Sequence, residues 1–212
     1  MQVARVLNGG YSGRDQDQVR AHIDELARIG VPAPARTPTL YPISDYLLTQ
    51  SSYIQVQHER TSGEIEYALI WAEGTVFVTV GSDQTDRALE THSVARAKQA
   101  CPNVIAREVW ALQDVEGNWD ELSLRCWTTD GGRRLLFQEG ALSQLLPPAE
   151  WLPILEQRGA ARDGTVFFSG TMPAATEGPI YGESYELELH DPRRERSITS
   201  SYAVEVLPPA LE

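Results

Sequence analysis

The chain has 212 residues, 42% of them apolar, with 30 acidic against 18 basic residues and a formal net charge of −12. That is the composition of an ordinary globular protein able to bury a real core. The acidic excess, with no Lys/Arg cluster, argues against a nucleic-acid backbone or an anionic membrane as partner, so an anionic substrate needs local positive charge to be captured.

Residues 2–7 read as a short strand, and Asn8-Gly9-Gly10 as the turn that ends it. A helix fits residues 15–29, with Asp15 as N-cap, Val19, Ile23 and Leu26 on one face, and Gly30 as the stop. Pro32, Pro34, Pro38 and Pro42 are too many for regular structure and predict an irregular segment that crosses the surface or covers a site. Extended runs follow at 46–48 and 53–57. Residues 64–71 and 75–80 are strand-like, and Glu73-Gly74 between them suits a tight hairpin loop. Residues 93–100 predict a helix that stops at Cys101-Pro102. Strands are expected at 109–112, 122–128 and 134–137, with Asp130-Gly131-Gly132 turning between the last two. A short helix fits 149–157, and strands fit 166–169, 185–190 and 197–206, with the polar stretch 191–196 as the final hairpin loop. No repeat or composition break marks a second domain. Residues 1–212 therefore read as one α+β, β-rich domain, with helices too few for a repeating βαβ sheet. Residues 1–50 supply the N-terminal strand, a helix and a Pro-rich cover, and 51–212 the β core. No apolar run approaches the roughly 18 residues of a transmembrane helix. With two cysteines and no charged-then-apolar leader, a reduced, cytoplasmic setting is expected.

The hairpin carries the chemistry. Side chains on a strand alternate between faces, so Glu64 and Glu66 point one way and Ile65 and Tyr67 the other. A two-residue loop then sets Asp83 opposite Glu64 and Gly81 opposite Glu66. Three carboxylates this close repel and raise one another's pKa unless a cation neutralises them. An oxygen-only set without His or Cys suits Mg²⁺, Mn²⁺ or Ca²⁺ rather than zinc. The alternative is a solvated hairpin face with acidic groups toward water.

On the predicted N-terminal helix, His22 and Glu25 lie three residues apart and are surface neighbours. A carboxylate can orient an imidazole and stabilise its protonated form, which makes a base near neutral pH; the alternative is an ordinary surface pair. Arg87, one turn beyond Asp83, is a bridge to a ligating carboxylate, a substrate contact or a structural salt bridge. Gln138 lines a pocket or satisfies a strand edge. His58, His92 and His190 show no site spacing, and Cys101 and Cys126, without a positioned His, read as inert buried thiols.

The order of these features resembles the fumarylacetoacetate hydrolase superfamily over most of the chain: Tyr11, then His22-x-x-Glu25, Leu40-Tyr41-Pro42, Glu64-x-Glu66, Asp83-x-x-x-Arg87, Lys98, Gln138-Glu-Gly140 and Phe168-Ser-Gly170-Thr171. The texture around Gly-Ser-Asp83 and Ala-Lys98-Gln-Ala looks like a compact bacterial branch of uncharacterised function. The gap between Glu66 and Asp83 is short for that superfamily, and Ser82 stands where better-known members often have Asn. The resemblance implies a mixed β-sheet roll or partly open barrel with a few peripheral helices, assembled as a homodimer. It implies that Glu64, Glu66 and Asp83 hold Mg²⁺ or Mn²⁺, with Ca²⁺ possible in crystals. His22 and Glu25 would activate water, Lys98 would lie beside the substrate oxygens, and Thr171 would bind the substrate carboxylate, with Arg87 and Gln138 as further substrate contacts. The expected activity is metal-dependent hydrolysis of a C–C bond in a small 2-oxo or 1,3-dicarbonyl acid, through a metal-stabilised enolate. Decarboxylation or enol–keto isomerisation on the same site is one alternative, and a non-catalytic binding protein for small acids is another.

Overall fold

The structure is a computed structural model that describes residues 2–28, 33–175 and 180–211, without the side chains of His22 and Leu26. The first half of the chain forms β1 (Arg5–Gly10), α1 (Gln16–Arg28), β2 (Thr39–Ile43), β3 (Leu48–Thr49), β4 (Tyr53–Val56), β5 (Thr61–Ser62), β6 (Ile65–Ala72), β7 (Thr75–Asp83), β8 (Thr85–Asp86), α2 (Arg87–Glu90) and α3 (Val94–Gln99). The second half forms β9 (Asn103–Ile105), β10 (Trp110–Ala111), β11 (Ser123–Asp130), β12 (Arg133–Ala141), α4 (Pro148–Gln157), β13 (Thr165–Phe168), β14 (Ser184–Asp191) and β15 (Arg196–Val206). The architecture is β-rich α+β. No helix among the described residues is long and apolar enough to cross a membrane.

The larger sheet runs β2-β1-β13-β6-β7-β9-β3, with β10 also on β7, and the smaller runs β12-β11-β14-β15-β4. The larger sheet is mixed, because β1 runs parallel to β13 while β13 with β6 and β6 with β7 pair antiparallel. It is also strongly curled. Three strands separate β1 from β9 in the sheet order, which in a flat sheet would put them roughly 19 Å apart. Yet Asn103 Nδ2 donates to Asn8 Oδ1 at 2.8 Å. The sheet therefore closes into a half-barrel whose concave face holds Val6, Ile43, Ala68, Ile105, Val166 and Phe168. Period-two alternation sends Tyr67, Leu69, Val78, Val80 and Phe167 to the convex face, where they share one core with Leu124, Leu187, Leu189 and Ile198 of the smaller sheet. Polar bonds cross this layer as well: Ser82 Oγ lies 2.8 Å from the Tyr202 hydroxyl, which donates to Gln84 Oε1 at 2.9 Å.

The predicted hairpin forms in the predicted register. Glu73 and Gly74 take φ of 54° and 71°, the left-handed pair that matches strand twist in a two-residue loop, and Ile65 pairs with Ser82, Glu66 with Gly81. Asp15 caps α1 through Oδ1, which accepts from Asp17 N and Gln18 N; the Gly30 stop lies outside the described residues. Other elements differ from the sequence reading. Gly9 and Gly10 do not turn the chain but continue β1, paired with Leu40 and Thr39. Their small size serves close approach, since a Cβ on Gly9 would lie 2.8 Å from Ser169 O. Part of the Pro-rich stretch is regular: β2 carries Pro42 and pairs only with β1, an edge position where a missing N–H is tolerated. Residues 45–47 form a 3₁₀ turn where extended chain was expected. α2 was not foreseen, although Asp86 Oδ1 caps it by accepting from Ala88 N and Leu89 N.

Replacing Tyr202 with Phe should strand Ser82 Oγ and Gln84 Oε1 without their buried partner, at a cost of about 1–3 kcal/mol. The urea midpoint should fall while its slope stays constant; an unchanged midpoint would show that this bridge does not couple the sheets.

Candidate metal centre

The β6–β7 ladder continues one pair past β6, because Glu64 N donates to Asp83 O and Asp83 N to Glu64 O, both at 3.0 Å. Glu64, Glu66 and Asp83 therefore turn to the same concave face, where each offers a carboxylate oxygen within 4.8 Å of the others. Glu66 and Asp83 are fully buried and Glu64 partly so. Opposite Glu66, a Cβ on Gly81 would lie 2.5 Å from Phe168 Cε1 and 2.6 Å from Val104 O, so only glycine leaves the room this packing uses.

The cluster is neutralised in part by protein. Lys98, near the end of α3, is the only lysine in the chain. Its Nζ donates to Glu64 Oε2 at 3.2 Å and makes a short contact with Asp83 Oδ2. Arg87, at the start of α2, donates to Glu64 Oε1 at 2.9 Å, Glu90 Oε2 at 2.9 Å and Ser62 Oγ at 2.7 Å. The loop after β13 adds the Gly170 N–H, 2.8 Å from Glu66 Oε2. Two oxygens of the triad, Glu66 Oε1 and Asp83 Oδ1, are buried and accept no hydrogen bond among the described residues. Buried carboxylate oxygens without partners are costly, and an all-oxygen donor set with two open acceptors fits a hard divalent cation.

Electrostatics follow from this wiring. Burial pushes Asp83 up to about 6, with Lys98 working against the shift. Burial, and then repulsion from Asp83, raise Glu66 further above the usual carboxylate range. Burial acts on Glu64 in the same direction, but Lys98 and Arg87 outweigh it and hold Glu64 at about 2. Burial disfavours the charge on Lys98, yet Asp83 and Glu64 overcome it and keep the ammonium firmly protonated.

A cavity of about 710 Å³ opens over Glu64 and Lys98 and is walled by the Tyr11–Arg14 turn, Gln18 and Val19 of α1, Tyr41, and the Gly170–Thr171 loop. Tyr11 holds a φ of 57° and Gly170 one of 85°. The two loops touch, since any Cβ on Gly170 would collide with Ser12 Oγ.

The predicted residues are distributed as follows. Glu64 and Lys98 lie at the cavity floor with Glu66 and Asp83 buried beneath them, and Arg87 reaches the cluster through Glu64. Thr171 lines the cavity, but its hydroxyl donates to Ile65 O at 2.7 Å and accepts from Gln138 Nε2 at 2.8 Å. Gln138 is buried and is not among the described lining residues. Its amide braces the wall from behind, accepting from Ile65 N and donating to Thr171 Oγ1 and Met172 O. Glu25 sits exposed on α1, and the His22 side chain lies outside the described part of the structure. His58 pairs with Asp86 at 3.0 Å, and Cys101 and Cys126 are buried free thiols. Sequence reasoning passed over Ser12, Arg14, Glu90 and Gln144, which also line the cavity. The solitary lysine was the one compositional signal available.

A family model described as protein of unknown function (DUF2848) matches residues 9–202. The chain belongs to this family. No curated protein matches it. Among solved structures, the DUF2848 chain is similar to Cg1458 at 20% identity and a TM-score of 0.67, with 98% of this chain and 78% of that one covered. It is similar to 2-keto-3-deoxy-D-arabinonate dehydratase complexed with magnesium and 2,5-dioxopentanoate at 16% identity and a TM-score of 0.65, covering 98% and 74%. It is also similar to 4-oxalocrotonate decarboxylase from Pseudomonas putida G7, complexed with magnesium and adipate, at 14% identity and a TM-score of 0.56, covering 95% and 77%. The shared fold is that of fumarylacetoacetate hydrolase-like proteins.

Opposed pKa shifts give opposed pH responses. Asp83 is raised to about 6 from 3.8, so the stability it confers is full below the lower value and lost as pH climbs to the upper. Glu64 is depressed to about 2 from 4.5, so its stability is present above the upper value and lost as pH falls to the lower. In metal-free protein, Asp83→Asn should therefore gain unfolding temperature relative to wild type between pH 3.8 and about 6. Glu64→Gln should instead lose ground against wild type between about 2 and 4.5. Thermal unfolding followed by circular dichroism decides it; curves that stay parallel to wild type contradict both assignments.

Proposed function

We propose that this protein is a divalent-metal-dependent enzyme acting on small 2-oxo or 1,3-dicarbonyl acids. The observation that carries the reading is the pair of buried, unpartnered oxygens on Glu66 and Asp83, set with Glu64 and a lone lysine under an open cavity. The ligands of two structures that share the fold, magnesium with 2,5-dioxopentanoate and magnesium with adipate, support it. A cation held by Glu64, Glu66 and Asp83 would supply a Lewis acid for the oxygens of a 2-oxo acid and stabilise negative charge developing on them.

The chain's own residues do the rest. An ammonium has three donors, and Lys98 spends two of them on Asp83 and Glu64. The third is left for a substrate oxygen, and Lys98 lines the cavity. Asp83 and Glu64 fix its position, and Arg87 fixes Glu64 in turn. The Gly170 N–H holds Glu66 by one oxygen and leaves the other open. Because the Thr171 hydroxyl proton is committed to Ile65 O, Thr171 shapes the wall rather than donating that proton to a ligand. α1 carries Gln18 and Val19 into the lining, and His22 follows one turn further along. There His22, oriented by Glu25, would take the proton of an attacking water in a C–C hydrolysis.

A second reading keeps the metal and Lys98 but dispenses with activated water, as in decarboxylation or enol–keto isomerisation. The dehydratase and decarboxylase named among similar structures favour weighing it beside hydrolysis. Mn²⁺ titration calorimetry tests the common site: Glu66→Gln and Asp83→Ala should each weaken binding sharply, since such sites have few protein ligands to lose. Unchanged affinity in both removes the proposal. Turnover on acylpyruvates and oxaloacetate then separates the chemistries. Under the hydrolytic reading His22→Ala lowers kcat by about 10² to 10⁴ with metal binding intact; wild-type turnover in that variant selects the water-free reading.

A further inference from the structure

The cavity wall bears on what lies beyond the chelating end of the substrate, and this step rests on the function proposed above. Among the described lining residues the charged groups are Asp15, Glu64, Glu90, Arg14 and Lys98, with Glu66 and Asp83 beneath. Both cations are engaged. Lys98 is held by the triad, and Arg14 sends Nη1 and Nη2 to Asp120 at 3.0 and 2.7 Å and Nε to Leu145 O at 3.3 Å. The stretches 29–32 and 176–179, outside the described residues, contain no Lys or Arg. Counting Arg87, which bonds Glu64 and Glu90, five carboxylates face three side-chain cations, all engaged, and a divalent ion, a balance that turns negative once the substrate's own carboxylate enters. A second carboxylate on the substrate would find no unengaged Lys or Arg among the described residues, and repulsion in a half-enclosed site is screened less than in water.

The wall offers neutral polar groups instead. Ser12 is 3% exposed, lines the cavity, and its Oγ has no hydrogen-bond partner among the described residues. It is held firmly, because Leu146 N donates to Ser12 O and Arg14 N to Gln144 O, which pins the turn to the wall. Tyr11 and Tyr41 flank it, and burial keeps both phenols in the neutral form. We infer that the substrate is a monoanion: its 2-oxo acid end lies at the triad and Lys98, and the remainder is an uncharged, hydroxyl-bearing tail that hydrogen-bonds Ser12 Oγ. A buried hydroxyl left without a partner in the protein then acquires one in the complex.

The test uses the full chain loaded with Mg²⁺ and titration calorimetry with oxalate and three five-carbon acids: 2-oxopentanoate, 2-oxoglutarate and 4,5-dihydroxy-2-oxopentanoate. The dihydroxy acid should bind most tightly and 2-oxoglutarate least. Ser12→Ala should narrow the gap between the dihydroxy acid and 2-oxopentanoate by about fivefold, one hydrogen bond's worth. Its metal-free unfolding temperature should stay at the wild-type value, because the hydroxyl has no protein partner to lose. Preference for 2-oxoglutarate, a gap unaltered by Ser12→Ala, or a lowered unfolding temperature in that variant would each overturn the inference while leaving the metal site standing. If oxalate itself fails to bind, the functional reading falls and takes the inference with it.

Discussion

Three carboxylates on neighbouring rungs of one antiparallel ladder, buried against a single lysine, are the arrangement on which the rest of this site depends. Carboxylates so placed repel one another and lose their hydration, and neither cost is met unless cations stand beside them. Lys98 meets part of it by bonding Glu64 and Asp83, and Arg87 holds the far oxygen of Glu64. The compensation is incomplete, since two oxygens remain open. That shortfall is what the cation of the proposed function would meet. Lysine suits the post because a compact ammonium can divide its donors between two carboxylates in different directions, where a planar guanidinium is built for one.

Curvature turns this ladder into a site. On a flat sheet the acidic rungs would face water on an open surface. Here the sheet curls until Asn8 and Asn103 meet across its concave face, so the ladder end is enclosed by the turn after β1 and the loop after β13. Small residues permit the closure. Gly81 admits the Phe168 ring beside Glu66, and Gly170, in a left-handed conformation, passes against Ser12 while aiming its N–H at Glu66. Gln138 and Tyr67 secure the same wall from behind, the latter donating to Leu146 O at 2.5 Å.

Much of the carboxylate cluster was legible because it is local. The hairpin needs only strand period, a loop of two residues that tolerate positive φ, and counting, and these bring Glu64, Glu66 and Asp83 together without reference to the remainder of the chain. The Asp15 cap and the strands from 123 onward are local in the same sense. The misreadings were cases where a partner distant in sequence decided the outcome. Gly9 and Gly10 looked like a turn until a paired edge strand and the Ser169 carbonyl held them extended. Gln138 admitted two readings from sequence, a pocket lining or a strand-edge group, and only the fold shows its amide bonded to Ile65, Thr171 and Met172.

The sequence by itself determined three carboxylates on one face of a hairpin, a single lysine, and an acidic excess that leaves positive charge scarce. Tertiary structure alone decided which oxygens remain open, which cations are already engaged, and that Ser12 presents an unpaired hydroxyl to the cavity. Those are questions of hydrogen-bond partners separated by tens to more than a hundred residues, such as Gly170 with Glu66 or Arg14 with Asp120. Periodicity and spacing act within one or two elements, whereas the satisfaction of a buried polar group is settled only when every element around it is in place.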